Sequence, residues 1–203
     1  MPSSGAADAQ RRHGTTEMIE LRGKKVVLRG LEREDCRRLW KEGEPAEPLP
    51  AQATTPGLSA EGADKWFEEI QAKQGKEQVY LGIFTPEGQL LGDIQLANID
   101  WRNRPATLGA GISRRADRGK GFATDAAFTL LRFAFQDLDL YRVSAGLAEY
   151  NAASRRVLEK CGFTQEGRAR QALYTSGKRH NWLTYGLLRT EFDGDRCPTT
   201  GSP

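Results

Sequence analysis

The stretch DRGKGFATDAAFTLLRFAF, from Asp117 to Phe135, constrains this chain more than any other. Two glycines stand two residues apart beside two cations, and an amphipathic run follows at once. Phe122, Ala126, Thr129, Leu130 and Phe133 recur at helical spacing, which predicts a helix from near Gly121 to near Asp137. The first amides of a helix have no acceptor within it and lie at the positive end of its dipole. Glycine carries no Cβ, so a ligand can approach its backbone closely. Such a turn suits an anion, most naturally a phosphate or pyrophosphate. Arg118 and Lys120 add charge beside it. The plainer alternative is a turn that only reverses the chain, with both cations solvated. The spacing speaks against two nucleotide sites. There is no GxxxxGK[ST] loop, and Gly119 and Gly121 are followed by Thr124, not by the third glycine of GxGxxG.

The remaining segments alternate between the two regular periods. KKVVLRGL (Lys24–Leu31) reads as a strand, and EREDCRRLWKEG (Glu32–Gly43) as a helix with Leu31, Cys36, Leu39 and Trp40 on one face. The proline-rich segment Glu44–Gly57 reads as a loop. Ser59 then caps a helix whose apolar face is Trp66, Phe67 and Ile70. Gln78–Asp100 forms a hairpin that turns at TPEG, and Ala106–Ile112 is a short strand leading to the glycine turn. Tyr141–Glu149 is a strand. Asn151 caps the next helix, which stops at Gly162. Phe163–Tyr174 and Arg179–Glu191 are two last strands joined at TSGK. The pattern predicts a mixed α/β fold, with a mostly antiparallel sheet flanked by helices. It occupies one domain over residues 19–192, between flexible tails at 1–18 and 193–203.

Bulk properties narrow the function classes. The 203 residues, 38% of them apolar, suffice for one sizeable core. No apolar run approaches the roughly 20 residues that span a bilayer. The N-terminus lacks the apolar core of a signal peptide, so the expected location is the cytoplasm, with no membrane partner. Cys36, Cys161 and Cys197 are far apart and not in ligand spacing, which points to a reducing compartment and no metal site. A net charge of +3 suits an anionic ligand but makes no case for nucleic acid, and no basic helix or aromatic platform motif is visible.

A second constellation follows the first: YRVSAGLAEYNAASRRVLEKCGF, a strand, an Asn-capped helix and a Gly-Phe stop. Together the two resemble the motifs of the GNAT superfamily of N-acetyltransferases, in its RimJ/RimL-like branch. RGKGFA (Arg118–Ala123) is similar to the family's Arg/Gln-x-x-Gly-x-Gly/Ala loop, with Arg118, Gly121 and Ala123 at its defined positions. LGDIQLANIDWRNRPATLGAGI and WLTYGLLRTEF also look like typical members, so the resemblance spans roughly Lys24 to Phe192.

The resemblance implies a GNAT fold with a splayed parallel strand pair, and acetyl-CoA as cosubstrate. It puts the pyrophosphate on the backbone of Arg118, Gly119, Lys120, Gly121, Phe122, Ala123 and Thr124. The pantetheine arm would run between the strands ATLGAGI and YRVSAGLAE, meeting backbone groups of Ile112 and Ser113. Asn151 would bond to the pantetheine or to the backbone near it, or serve only as an N-cap. The acceptor would be a primary amine attacking the thioester directly, with no covalent enzyme intermediate and no role for Cys161. Many members use a Tyr on the second helix to protonate the leaving thiolate. Here Leu158 stands at that place, and Ser154 in the first turn is the candidate instead, unless it is only a capping hydroxyl. No acid lies on TLGAGI, where many members keep a Glu. Asp93, Asp100, Glu149, Glu166 and His180 are the alternatives for the base, beside a water relay to solvent. Glu44 and Glu47 attract a cation or merely keep their loop soluble, and Trp40, Trp66 and Trp182 line an acceptor pocket or pack the core. Relatives often form homodimers. An acyl-CoA-binding module without turnover is the competing reading.

Overall fold

The computed structural model describes residues 19–43 and 59–194. The expectations for the first tail, for the proline-rich loop with Glu44 and Glu47, and for most of the second tail lie outside these residues. Eight strands form one sheet: β1 (Glu20–Arg22), β2 (Val27–Arg29), β3 (Val79–Phe84), β4 (Leu90–Ala97), β5 (Pro105–Ile112), β6 (Arg142–Ala148), β7 (Thr164–Thr175) and β8 (Lys178–Leu188). Their order is β1-β2-β3-β4-β5-β6-β8-β7. Four helices cover it: α1 (Arg33–Glu42), α2 (Ala60–Lys73), α3 (Phe122–Gln136) and α4 (Ala152–Lys160).

The single strand expected over Lys24–Leu31 is in fact the second arm of a hairpin. β1, with the sequence ELR, pairs with β2 in antiparallel register from Glu20/Arg29 to Arg22/Val27. Three residues with one apolar side chain carry no period, so β1 had no signature of its own. The last strand ends at Leu188, three residues short of the expected Glu191, where the chain tightens into a 3-10 turn.

The alternation of β3 sorts the molecule into layers. Val79, Leu81 and Ile83 face α3 and α4, whereas Tyr80 and Phe84 face α1 and α2 with Leu31, Cys36, Leu39 and Ile70. α3 is the central helix. Ala126, Leu130, Leu131, Ala134 and Phe135 are all at most 2% exposed. Burying a leucine of this kind contributes about 2 kcal/mol, so α3 is held by packing and not by propensity. The helix starts are as the sequence reads. Ser59 Oγ accepts from Gly62 N–H at 3.4 Å, and Asn151 Oδ1 accepts from Ser154 N–H at 2.9 Å. α3 begins at Phe122 after Gly121 and ends at Gln136, within a residue of expectation.

The sheet is two antiparallel blocks with a weak seam. β5 pairs with β4 from Thr107 to Ile112, and β6 pairs with β8 along its whole length. Between the blocks, β5 and β6 run parallel for three pairs only: Pro105/Arg142, Ala106/Val143 and Thr107/Ser144. Ser144 Oγ reinforces this end by donating to the Ala106 carbonyl at 3.2 Å. Beyond it each strand follows the twist of its own block. The seam therefore opens into the splay that the family resemblance implied.

Candidate active site

α3 starts past the open end of the splay, because the chain leaves β5 at Ile112 and reaches Phe122 through one 3-10 turn. Gly119 and Gly121 have φ of 77° and 87°, in the left-handed region that glycine tolerates. No atom lies within 4 Å of where a Cβ on Gly119 would stand, so the turn is bare above its backbone. Gly121 is the N-cap of α3 and offers no side chain to the amides of Phe122, Ala123 and Thr124. These are the features an oxyanion ligand needs, and the residues present fit a pyrophosphate.

The cations have local duties as well. Arg118 Nε donates to the Ile112 carbonyl and Nη2 to the Ser113 carbonyl, both at 3.0 Å. The guanidinium thus braces the end of β5 against the glycine turn. Lys120 Nζ lies 3.0 Å from Asp117 Oδ1, and the Lys120 carbonyl accepts from Lys25 Nζ at 2.9 Å. Ser113 N–H donates to the Leu91 carbonyl at 2.9 Å, so that end of β5 is tied to β4.

Asp125 was not singled out by the sequence. It is buried in the first turn of α3, and its carboxylate accepts from the backbone N–H groups of Lys24, Lys25 and Val26 at 3.1, 2.7 and 3.1 Å. It holds the β1–β2 turn onto the helix that carries the glycine cradle. Its one sequence signal was an acid four residues before Thr129, on the stripe predicted to be apolar. Gly92 was also missed. A Cβ there would stand 1.9 Å from the Gly111 carbonyl oxygen, so only glycine lets β4 and the end of β5 approach this closely.

On α4, Asn151 provides the cap and Ser154 does not, because the capping oxygen is Asn151 Oδ1. Leu158 is buried in the main core. Cys161 is buried at the helix end, its sulfur 3.9 Å from the Thr124 carbonyl.

The acceptor-side candidates separate. Trp40, Trp66 and Tyr80 form an edge-to-face ladder with centroids 5.7 and 5.8 Å apart. Trp66 and Tyr80 also line a cleft of about 220 Å³ with Gln78 and Gln95. Trp182 lies over Gly146 of β6, where a Cβ would meet its ring at 2.5 Å. Asp100 clasps its own turn, accepting from Arg102 N–H, Asn103 N–H and Asn103 Nδ2. Glu149 accepts from Asn181 N–H at 2.9 Å, Asn181 Nδ2 at 2.6 Å and Arg168 at 3.1 Å. Glu166 takes both arms of Arg142. These bonds hold all three carboxyls below their ordinary values. His180 meets Tyr150 edge to face with ring centroids 4.6 Å apart, beside the β7–β8 turn. Asp93 differs: burial pushes its carboxyl up, opposed by a hydrogen bond from Tyr80 Oη at 2.7 Å. Burial pushes the Cys36 thiol up to about 12, so it stays protonated. Among the described residues no cluster of three or more His, Cys, Asp or Glu is placed to hold a metal ion. No described helix is long and apolar enough to cross a membrane.

A split sheet with a bare helix start opening onto the split suits a phosphate-bearing ligand. The chain belongs to the GNAT family: the family model described as "Acetyltransferase (GNAT) domain" matches residues 25–164. The RimJ/RimL-like resemblance and a relative named as an N-acetyltransferase, 32% identical over 75% of its length, agree with that assignment. The chain is similar to YdaF of Bacillus subtilis (strain 168), provisionally named a ribosomal N-acetyltransferase, at 41% identity over 110 residues. That alignment covers 54% of this chain and 60% of YdaF, so it spans about three fifths of the relative's length. A crystal structure provisionally assigned as an acetyltransferase superposes with a TM-score of 0.76 at 30% identity, covering 86% of this chain and 99% of the other. Mycobacterium smegmatis RimJ in complex with CoA-disulfide shares the fold, with a TM-score of 0.72 at 22% identity over 86% of this chain and 88% of that one.

Proposed function

We propose that the enzyme transfers the acetyl group of acetyl-CoA directly to a primary amine: a protein N-terminal α-amine, a small-molecule amine or an amine-bearing antibiotic. The observation that carries this reading is the three-pair parallel seam that opens beside the bare glycine turn. In this reading the pyrophosphate lies on the amides from Arg118 to Thr124. The pantetheine follows the exposed edge of β5 past Ile112 and Ser113, with Asn151 across the splay on the β6 side. Arg118 keeps the end of β5 in place while its charge favours the anion. Ser154 supplies the hydrogen bond or proton to the sulfur as the C–S bond breaks. The capping geometry supports that role, since Asn151 performs the capping and the Ser154 hydroxyl is not needed for it.

Titration calorimetry with acetyl-CoA tests the cradle, and thiol release tests turnover. The amine panel is spermine, a peptide with an N-terminal alanine, and an aminoglycoside. Binding with release on one of the three is the expected result. Binding without release on any would favour the acyl-CoA-binding module. No binding would overturn the reading.

A further inference from the structure

We propose that Asp93, positioned by Tyr80, is the catalytic base that takes the proton from the acceptor amine. The inference rests on the acetyl-transfer reading above and deepens it. Asp93 stands opposite Gly82 of β3 and opposite Gly111 of β5, so its side chain projects from the face covered by α1 and α2. Gln95 stands on the same face, opposite Gly109. With glycine at 109 and 111, β5 has no side chains there, and the two polar groups lean over its backbone. Gln95 Nε2 is 3.3 Å, and Asp93 Oδ1 3.8 Å, from where a Cβ would stand on these glycines. Neighbouring strands are about 4.8 Å apart, so Asp93 lies one strand spacing from the splayed edge of β5, within reach of a group seated there directly or through one water.

The two carboxylate oxygens are distinguished. Oδ2 accepts the 2.7 Å bond from Tyr80, which fixes the group, while Oδ1 overhangs Gly111. Asp93 is half-buried by exposed surface, yet the atoms around it shut out enough water to push its carboxyl up. Asp100, Glu149 and Glu166 are each stabilised as anions by donors and are poor proton acceptors. The titratable groups facing Asp93 are Tyr80 from β3 and Cys36 from α1, both protonated at neutral pH. Glycines 82 and 111 present none. The Glu42–Arg114 ion pair joins the end of α1 to the residues after β5 and neutralises itself. The Tyr80 end of the same face opens onto the cleft lined by Trp66, Gln78 and Gln95, where Glu69 and Lys73 add one charge of each sign.

The step balances. An ammonium group gives one proton to Asp93 Oδ1, and its lone pair forms the C–N bond to the thioester carbonyl carbon. The C–S bond breaks, and the second nitrogen proton reaches the sulfur through the Ser154 hydroxyl, which gives up its own proton and takes that one in return. The products are an amide and the CoA thiol, and Asp93 returns its proton to solvent.

The test is the pH profile of kcat/KM for whichever of the three panel amines the wild-type enzyme acetylates fastest. Asp93→Asn should lower kcat about 100-fold and remove the acidic limb that the base contributes. Tyr80→Phe should keep that limb but move it to higher pH, because the carboxylate loses a bond that favours its charged form. A residue with only a structural role would not move the limb. Acetyl-CoA affinity by calorimetry should be unchanged in both variants, which separates this proposal from the cradle. Asp93→Asn within twofold of wild-type kcat, or a limb unmoved in Tyr80→Phe, would overturn it. So would loss of acetyl-CoA affinity together with activity in both. If no panel amine releases thiol with the wild-type enzyme while acetyl-CoA binds, the parent reading fails and this one falls with it.

Discussion

The two faces of the sheet around β5 treat their polar groups in opposite ways. On the α3 face, side chains bond to main chain. Asp125 gathers three amides of the β1–β2 turn, Arg118 holds the carbonyls of Ile112 and Ser113, and Lys25 caps the Lys120 carbonyl. On the α1/α2 face, apart from the bonds of Gln74 and Gln78 to main chain, side chains meet side chains: Tyr80 with Asp93, Trp66 with Tyr80, Trp40 with Trp66. A site built from backbone keeps its shape whatever most side chains do, and it suits a cosubstrate that never changes. A site built from side chains can be retuned by substitution, and it suits an acceptor that differs from one enzyme to the next.

This contrast can be broken most directly at the glycine turn. Gly121→Asp puts a carboxylate where the anion is expected, at a φ of 87° that a Cβ disfavours by about 1–2 kcal/mol. Acetyl-CoA affinity measured by calorimetry should fall at least about 100-fold, the repulsion adding to the strain. Unchanged affinity would remove the cradle from the backbone side of the comparison. Next in size is Asp125→Ala, which leaves three backbone amides without their acceptor. It should cost about 3 kcal/mol in urea unfolding, since bonds to charged groups contribute about 1.5–3 kcal/mol each and water replaces part of the loss. A loss below about 1 kcal/mol would mean that the β1–β2 turn is held by packing alone.

Ser154→Ala sharpens the comparison on the α4 side. It should lower kcat about tenfold and leave the KM for acetyl-CoA unchanged, because the Asn151 cap survives. Equal losses in both would return Ser154 to a structural role. The smallest effect belongs to the Arg142–Glu166 pair, away from both faces' sites. Arg142 holds the Glu166 carboxyl below its ordinary value near 4.5, but both side chains are more than a third exposed, at 35% and 41%. Solvent screening limits the pair to about 0.5 kcal/mol. A depressed carboxyl stabilises the fold above its unfolded value and loses that contribution as pH falls through its folded value. Arg142→Met should therefore lower the melting temperature slightly at pH 7, and the difference from wild type should shrink as pH falls below 4.5 and vanish once it is below the depressed folded value. A difference that persists in acid would assign the effect to packing.

Much of the backbone-built side was legible in the residues themselves. Gly119, Gly121 and the apolar run after them predict a helix start with bare amides, and α3 begins one residue after Gly121. Asn151 was read as a cap from its place before a helical period, and it caps Ser154. The side-chain face was legible only as a set of alternatives. Five residues were candidates for the base, and nothing near Asp93 in the chain marks it, because its partner Tyr80 is thirteen residues away on another strand. Gly92 gave no sign either, since the atom it must accommodate belongs to Gly111.

The sequence by itself determined the local elements, the glycine turn and the Asn-capped helix, because helical period, capping and left-handed backbone are settled within a few neighbouring residues. The tertiary structure alone decided three further things. It added β1, which exists only as the partner of β2. It limited the β5–β6 seam to three pairs, because each strand follows the twist of its own block. And it gave Asp93 its distinct environment, because burial and hydrogen bonding are set by strands that meet in space and not along the chain.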